Sequence, residues 1–229
     1  MAHDNAPMGT LYLVRHGQAS FGAADYDQLS ELGRRQCVRL GEHLRLRGVR
    51  VDHVMTGALR RHAQSLDGIA EGLQLQAEPS VWPQLNEYDS EALVRAIHPE
   101  PLPEADPATA FREHFRLLRQ ALTAWMDGRT QPQGVPTHAH FADGVRQALD
   151  HVREEDRGTV LLVSSGGPIA TAVGHVLGLA PGAVIDLNMR IRNSALTEFH
   201  VTPKRHLLVG FNSIAHLEHP DHAGWVTYA

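Results

Sequence analysis

The sequence predicts an α/β fold: a three-layer α/β/α sandwich around a mostly parallel central sheet. Three observations predict it. Short apolar runs rich in strand formers alternate with longer runs of helical periodicity along most of the chain, the pattern of a sheet covered by helices. One run, "TVLLV" at 159–163, carries no charge and no strongly polar group, as a strand covered on both faces requires. The last two strand candidates are joined by "TPKR", whose proline suits a hairpin turn.

Residues 10–15 (TLYLVR) form the first strand candidate. Residues 29–48 read as a helix, with Ser30 as N-cap, Leu40 and Leu44 on one face, and Gly48 as the stop. Cys37 shares that stripe with Leu40, Gly41 and Leu44, so a buried structural thiol is expected rather than a reactive one. Residues 51–56 (VDHVMT) are the second strand. Residues 58–72 place Leu59, Ala63, Leu66 and Ile69/Ala70 on one helical stripe, and 75–79 (LQAEP) read as a third strand. The middle differs. Residues 98–108 are dense in proline and acid, and 127–140 form a second breaker-rich loop that includes "THAH". The helix expected between them, 111–126, is thus flanked by two long loops. This predicts that residues 98–140 form a cap or lid over a site, within a single domain spanning 1–229. Helix returns at 141–155. After the strand at 159–163, the next helix has Pro168 at its first position and Ile169, Ala172/Val173 and Val176/Leu177 on its stripe. Strands at 195–201 and 207–212 close the chain. No internal repeat or heptad array is apparent.

Composition excludes several classes. The formal net charge is -5 over 229 residues, which points away from nucleic acid and anionic membrane as main partners. No apolar run approaches the ~20 residues of a membrane span. The start, "MAHDNAPMGT", lacks the basic and apolar regions of a signal peptide. A single cysteine fits a reducing, cytoplasmic setting. Oligomeric state is not legible.

In parallel sheets, ligands bind beyond the C-terminal strand ends, and three such ends carry unusual residues. The first strand ends in Arg15 and His16, followed by Gly17. Arginine is a permanent cation with a fork of donors for phosphate or carboxylate. Histidine can act as nucleophile, base or ligand. The second strand ends at Thr56 and Gly57, with Arg60, Arg61 and His62 in the first turns of the next helix. Two arginines at a helix start are unfavourable unless an anion compensates. Arg60 reads as part of a solvated face and Arg61 as functional. His62 follows Arg61 by roughly 100° around the helix, so it need not face a pocket. The third end is "VSSGG" (163–167), where glycines before a helix make an anion cradle. A histidine, two arginines and a glycine-rich helix start together describe a phosphate pocket with a nucleophile in it.

These segments resemble the histidine phosphatase superfamily, also called phosphoglycerate mutase-like. "LYLVRHGQAS" resembles its R-H-G signature, and "LSELGRRQCVRLGEHL" its L-[ST]-x-x-G-x-x-Q helix. "TGALRRHAQS" resembles S-S-x-L-x-R-A-x-Q-T, which places the second arginine on Arg61. "LNEYD" resembles the L-x-E segment that supplies a proton donor, here Glu87. "VLLVSSGG" aligns with a strand ending in V-x-H-G-G, and "GFNSIAHL" resembles an N-x-x-x-H-L tail carrying His216. One departure is clear: the second pocket histidine of the family falls on Ser165. Losing one charge-stabilising donor costs roughly 10²–10³ in rate, so the departure bears on turnover more than on phosphate binding.

The resemblance implies a phosphomonoesterase fold and mechanism. His16 would attack phosphorus, its other nitrogen held by the Gly17 carbonyl. Arg15 and Arg61 would clamp the phosphoryl oxygens, with Ser165 and Gly166 completing the cradle. Glu87 would protonate the leaving alcohol, and His216 would reach the pocket. Neither metal nor cofactor is expected, since two arginines carry the charge. The expected partner is a small phosphorylated substrate. The alternatives are a mutase moving phosphate on a sugar acid, a degenerate phosphate-ligand binder because of Ser165, and, remotely, a serine hydrolase using Ser165. Other features have plainer readings. His216, His219 and His222 read as a solvated tail rather than a metal site. Arg190 and Arg192 read as surface residues, and Trp82, Tyr88 and Trp125 as packing in the core or lid.

Overall fold

The computed structural model describes residues 9–20, 27–100, 106–155 and 158–228. The chain start discussed above and residues 101–105 of the proline-rich stretch therefore lie outside the described residues. Among the described residues six strands form one sheet: β1 (Gly9–Arg15), β2 (His53–Thr56), β3 (Ser80–Val81), β4 (Gly158–Ser164), β5 (Leu196–Val201) and β6 (His206–Ser213). Their order is β3-β2-β4-β1-β5-β6. The first four are parallel neighbours, while β5 and β6 run antiparallel at one edge.

Strand alternation builds the two faces. Leu11 and Leu13 of β1 and Val160 and Leu162 of β4 point to one side, into a cluster with Val145, Leu149, Ile169 and Val173. These come from α5 (His138–Glu154) and α6 (Gly166–Leu177). Tyr12, Val14, Leu161 and Val163 point to the other side, against Cys37, Leu40, Leu44, Leu66 and Ile69. Those belong to α1 (Glu31–Leu46) and α2 (Arg60–Leu73). The period of two sorts each strand's side chains between two helical layers, which is the predicted three-layer sandwich.

α1 begins where expected: the Ser30 side chain accepts from the Gly33 amide. Cys37 is a buried free thiol, its pKa pushed up to about 11 by burial. α1 and α2 approach closely, and a Cβ at Gly41 would stand 2.1 Å from the Ile69 carbonyl oxygen. Gly→Ala in a helix ordinarily gains about 1 kcal/mol. Here the backbone contact wins, and Gly41→Ala is expected to destabilise by ~1–3 kcal/mol through overpacking. Urea unfolding measures it; a stabilised variant would refute the close packing of α1 on α2.

Several boundaries differ from the sequence reading. Residues 75–79 are not a strand; β3 is only Ser80–Val81, pairing with Met55 and Thr56. Pro79 has no N–H to donate, so pairing starts after it. "THAH" is not loop: Thr137 caps α5 by accepting from the His140 amide, and His138–His140 form its first turn. Pro168 is the third rather than the first residue of α6, where a missing N–H is still harmless. Two eight-residue helices were not expected, α3 (Ser90–Ile97) and α7 (Pro181–Asn188). Each has a signal, Asp89 as N-cap accepting from Ala92 and Pro181 at the first position. Helix α4 (Pro107–Met126) packs with them in a third cluster of Leu93, Leu118, Leu122, Trp125 and Ile185.

Register places the site. Arg15 pairs with Ser164, and Thr56 with Val163. His16, Gly57 and Ser165 therefore leave the sheet together at its C-terminal edge. Among the described residues no helix is long and apolar enough to cross a membrane.

Candidate active site

His16 follows the last residue of β1 and is 2% exposed. Its amide donates to the Ser164 carbonyl at 2.9 Å, and its own carbonyl accepts from the Ser194 amide at 3.2 Å and from Asn193 Nδ2 at 3.3 Å. The backbone is thus fixed on both sides. Nδ1 lies 2.7 Å from the Gly17 carbonyl oxygen. A carbonyl only accepts, so Nδ1 carries the proton and Nε2 keeps its lone pair. Burial, then Arg15, Arg61 and His62, hold the imidazole well below its ordinary range, against a smaller opposing effect of the Gly17 bond. Burial and the neighbouring cations both favour the neutral ring, with the lone pair on Nε2.

Arg15 reaches across the strand ends. Its Nη1 donates to the Ile191 carbonyl and to the Tyr228 carbonyl, the latter at 2.8 Å. Its Nε lies 3.9 Å from where a Cβ on Gly166 would stand, so the guanidinium borders the start of α6. Arg61 is 7% exposed. The anion that its helix start demands is partly supplied within the chain by Asp27, a residue the sequence reading missed. Asp27 Oδ1 accepts from Arg61 Nη1 at 3.0 Å, and Asp27 Oδ2 accepts from the Arg60 amide at 2.9 Å. A carboxylate at the first turn of α2 opposes both the helix dipole and the arginines. Arg60 itself is exposed.

At the end of β4 the two serines do different things. The Ser164 hydroxyl donates to the Leu85 carbonyl at 2.6 Å, tying the strand to the 3-10 turn Pro83–Leu85 that leads to Glu87. Ser165 is fully buried and caps no amide of α6. Glu87 lies across the start of α6, both carboxylate oxygens accepting from the Gly167 amide at 3.1 Å. Burial raises its pKa, opposed by that amide and by Arg15 and Arg61. A carboxyl shifted upward is suited to hold a proton.

His62 does face this site, contrary to the sequence expectation. It is fully buried, and its Nε2 sits 2.7 Å from Ser165 Oγ. Arg61, His62 and Ser65 are all buried at the start of α2, so the buried arc takes in the full 100° between neighbours, with Ser65 inside it. The signal was present: His62 precedes buried Leu66 by four and Ile69 by seven, which is the core stripe. His216 is set behind the site instead. Its Nε2 pairs with Ser194 Oγ at 2.8 Å, and Ser194 in turn holds the His16 carbonyl. The tail after it is not merely solvated. The Thr227 carbonyl accepts from the Asn193 amide, and Arg35 lies 5.0 Å over the Trp225 ring. Backbone acceptors made that docking invisible to residue type. Arg192 is tied to β6 through the Asn212 carbonyl at 2.7 Å, while Arg190 is exposed. Trp125 is buried and donates to the Pro136 carbonyl, Tyr88 accepts from Asn188 Nδ2, and Trp82 packs on the core. Among the described residues no group of three His, Cys, Asp or Glu could hold a metal ion.

A cleft of about 390 Å³ opens beside Glu87, lined by Tyr88, Trp125, Val135, His140 and Phe141 among others. Glu87 links it to the start of α6, and Tyr88, Trp125, Val135 and Phe141 belong to the third cluster or pack against it.

Comparison with known proteins gives a consistent picture. A family model described as histidine phosphatase superfamily (branch 1) matches residues 11–214. No curated protein sequence matches the chain. Among solved structures, phosphoglycerate mutase from Bacillus anthracis is similar with a TM-score of 0.64 at 17% identity, over 91% of this chain and 94% of that one. A mycobacterial glucosyl-3-phosphoglycerate phosphatase, solved with VO3, gives 0.61 at 24% identity, over 91% and 100%. An alpha-ribazole phosphatase from Shigella flexneri gives 0.62 at 19% identity, over 90% and 97%. At these identities the likeness is one of fold.

Proposed function

The chain belongs to the histidine phosphatase superfamily, and from that premise we propose that it is a phosphomonoesterase working through a phosphohistidine on His16. The observation that carries this reading is the state of His16: Nδ1 engaged by the Gly17 carbonyl and a neutral ring held among cations. Such a ring is a nucleophile at Nε2.

In the proposed first step, His16 Nε2 forms a bond to phosphorus as the ester P–O bond breaks. Arg15 and Arg61 orient the transferring group and offset its charge. Gly166 and Ser165 border the oxygens. Glu87 gives its proton to the departing alkoxide. In the second step the Glu87 carboxylate takes a proton from water, whose oxygen attacks phosphorus. The P–N bond breaks, phosphate leaves and His16 returns to the neutral form. The cleft beside Glu87 is where the alcohol's organic part would lie. Its aromatic and aliphatic walls, together with the carboxylates of Glu87 and Asp89, favour an uncharged group over a second anion. The end of α4 and the loop after it, part of the 98–140 stretch, border the cleft through Trp125, Val135 and Pro136 and act as its cap, within one domain. A small phosphorylated substrate and a cytoplasmic setting, with Cys37 free and buried, fit the same reading.

Glu87→Gln tests the scheme. Turnover of an alkyl phosphate is expected to fall by ~10²–10⁴-fold. For p-nitrophenyl phosphate, whose phenolate leaves unprotonated, the loss is expected to stay below about tenfold, both esters being compared by kcat/KM, which reports the first step and not the water attack that they share. Wild-type activity on alkyl esters falls as pH rises through the elevated Glu87 pKa, because the acid must be protonated, and the variant lacks that limb. Equal losses on both esters would remove Glu87 from the proton-donor role. Absence of any phosphate release across an aryl and alkyl panel would overturn the phosphomonoesterase reading itself.

A further inference from the structure

The scheme above uses Ser165 only as a wall of the cradle and leaves His62 without a task. Both are fully buried, and they share a hydrogen bond of 2.7 Å. The His62 ring centroid lies 5.8 Å from that of His16, tilted by 35°. β4 runs beside β1 with Ser164 opposite Arg15, so Ser165 is the neighbour of His16 at the strand ends. Room for His62 depends on Gly57. A Cβ there would stand 2.3 Å from His62 Nδ1 and 2.8 Å from its Cε1. Three departures from the motifs quoted above therefore meet at one place. A serine side chain is absent at Gly57, an imidazole replaces a methyl at His62, and a hydroxyl replaces an imidazole at Ser165. The ring withdrawn from the strand end has been supplied from the facing helix.

We propose that His62 is a positioning residue for phosphoryl transfer: its Nε2–H donates to Ser165 Oγ, which leaves the Ser165 hydroxyl hydrogen free to donate to a phosphoryl oxygen. The tautomer follows from the other edge of the ring. His62 Nδ1 is buried and has no hydrogen-bond partner among the described residues, and a buried N–H without an acceptor is the costlier arrangement. Nδ1 therefore keeps the lone pair and Nε2 the proton. Burial and Arg61 lower the His62 pKa to about 3, so the ring holds one proton, not two. The reverse arrangement would turn the serine hydrogen toward His62 and present only lone pairs to an anion. Through this relay, helix and strand together replace a single imidazole donor.

The inference rests on the phosphomonoesterase reading, and the test separates the two. On p-nitrophenyl phosphate, His62→Ala is expected to lower kcat by ~10²-fold, the size of one lost transition-state donor, with KM changed less than about threefold. His62→Gln, which keeps an N–H at the reach of Nε2, is expected to retain most of kcat. Ser165→His alone collides with His62 and loses activity, whereas His62→Ala combined with Ser165→His regains it. If His62→Ala keeps kcat and only melts earlier, the role is structural and the proposal fails. If His62→Ala does not fold, His62→Gln and Ser165→Ala decide: the proposal requires the first active and the second impaired. If the wild type turns over no ester, the phosphomonoesterase reading falls. Orthovanadate affinity then decides the relay, weakened about tenfold by His62→Ala but not by His62→Gln. Equal affinities would overturn it.

Discussion

His16→Ala is expected to lower turnover of an aryl phosphate by ~10⁴-fold or more, because removing a nucleophile removes the covalent route rather than one stabilising contact. The folded structure should tolerate the change. The His16 backbone is fixed by Ser164, Ser194 and Asn193, and those bonds do not use the ring. Melting temperature thus stays near wild type while kcat collapses. Rapid acid-free quenching with labelled substrate should trap phosphate on the wild type, and none on the variant. A variant retaining even a tenth of wild-type kcat would sink the phosphohistidine scheme, whatever its fold.

Arg61→Ala is the second large effect, an expected loss of ~10³-fold in kcat/KM, at the lower end of what a transition-state arginine supplies. Two consequences distinguish this from a general loss of stability. Arg61 is one of the cations that keep His16 unprotonated, so its removal raises the His16 pKa. The acid limb of the pH–rate profile moves to higher pH, since a protonated imidazole has no lone pair to attack with. Arg61→Lys keeps the charge without the fork and should recover only a small part of the rate. Arg60→Ala, at an exposed neighbour, serves as the control and stays near wild type. The Asp27 pair is a lesser matter. Asp27 is 38% exposed on its side chain, so its loss to Asn should loosen the start of α2 more than it slows the reaction. Wild-type rates in Arg61→Ala would remove it from the phosphate clamp.

Residue type read the layers well where periodicity was strong. The run at 159–163 and the Leu40/Leu44 stripe became β4 and α1, because a strand covered twice and an amphipathic helix leave unmistakable patterns. Short elements were harder. α3 and α7 have caps but only two turns of stripe, and β3 was displaced by Pro79, whose missing N–H overrides strand propensity. His62 was underrated because a single helix was considered without its partner. Burial of Arg61, His62 and Ser65 together depends on how α2 meets the strand ends.

By itself the sequence determined the family, the α/β sandwich and which residues end the parallel strands. Strand period, helix stripe and motif spacing are local properties of the chain, and each is written in consecutive residues. Tertiary structure alone decided which of those ends become partners. It brought Asp27 to the start of α2, placed His216 behind His16, and set His62 against Ser165, 103 positions further along the chain. A hydrogen bond between residues so far apart is fixed by sheet register and helix packing, which no local pattern encodes.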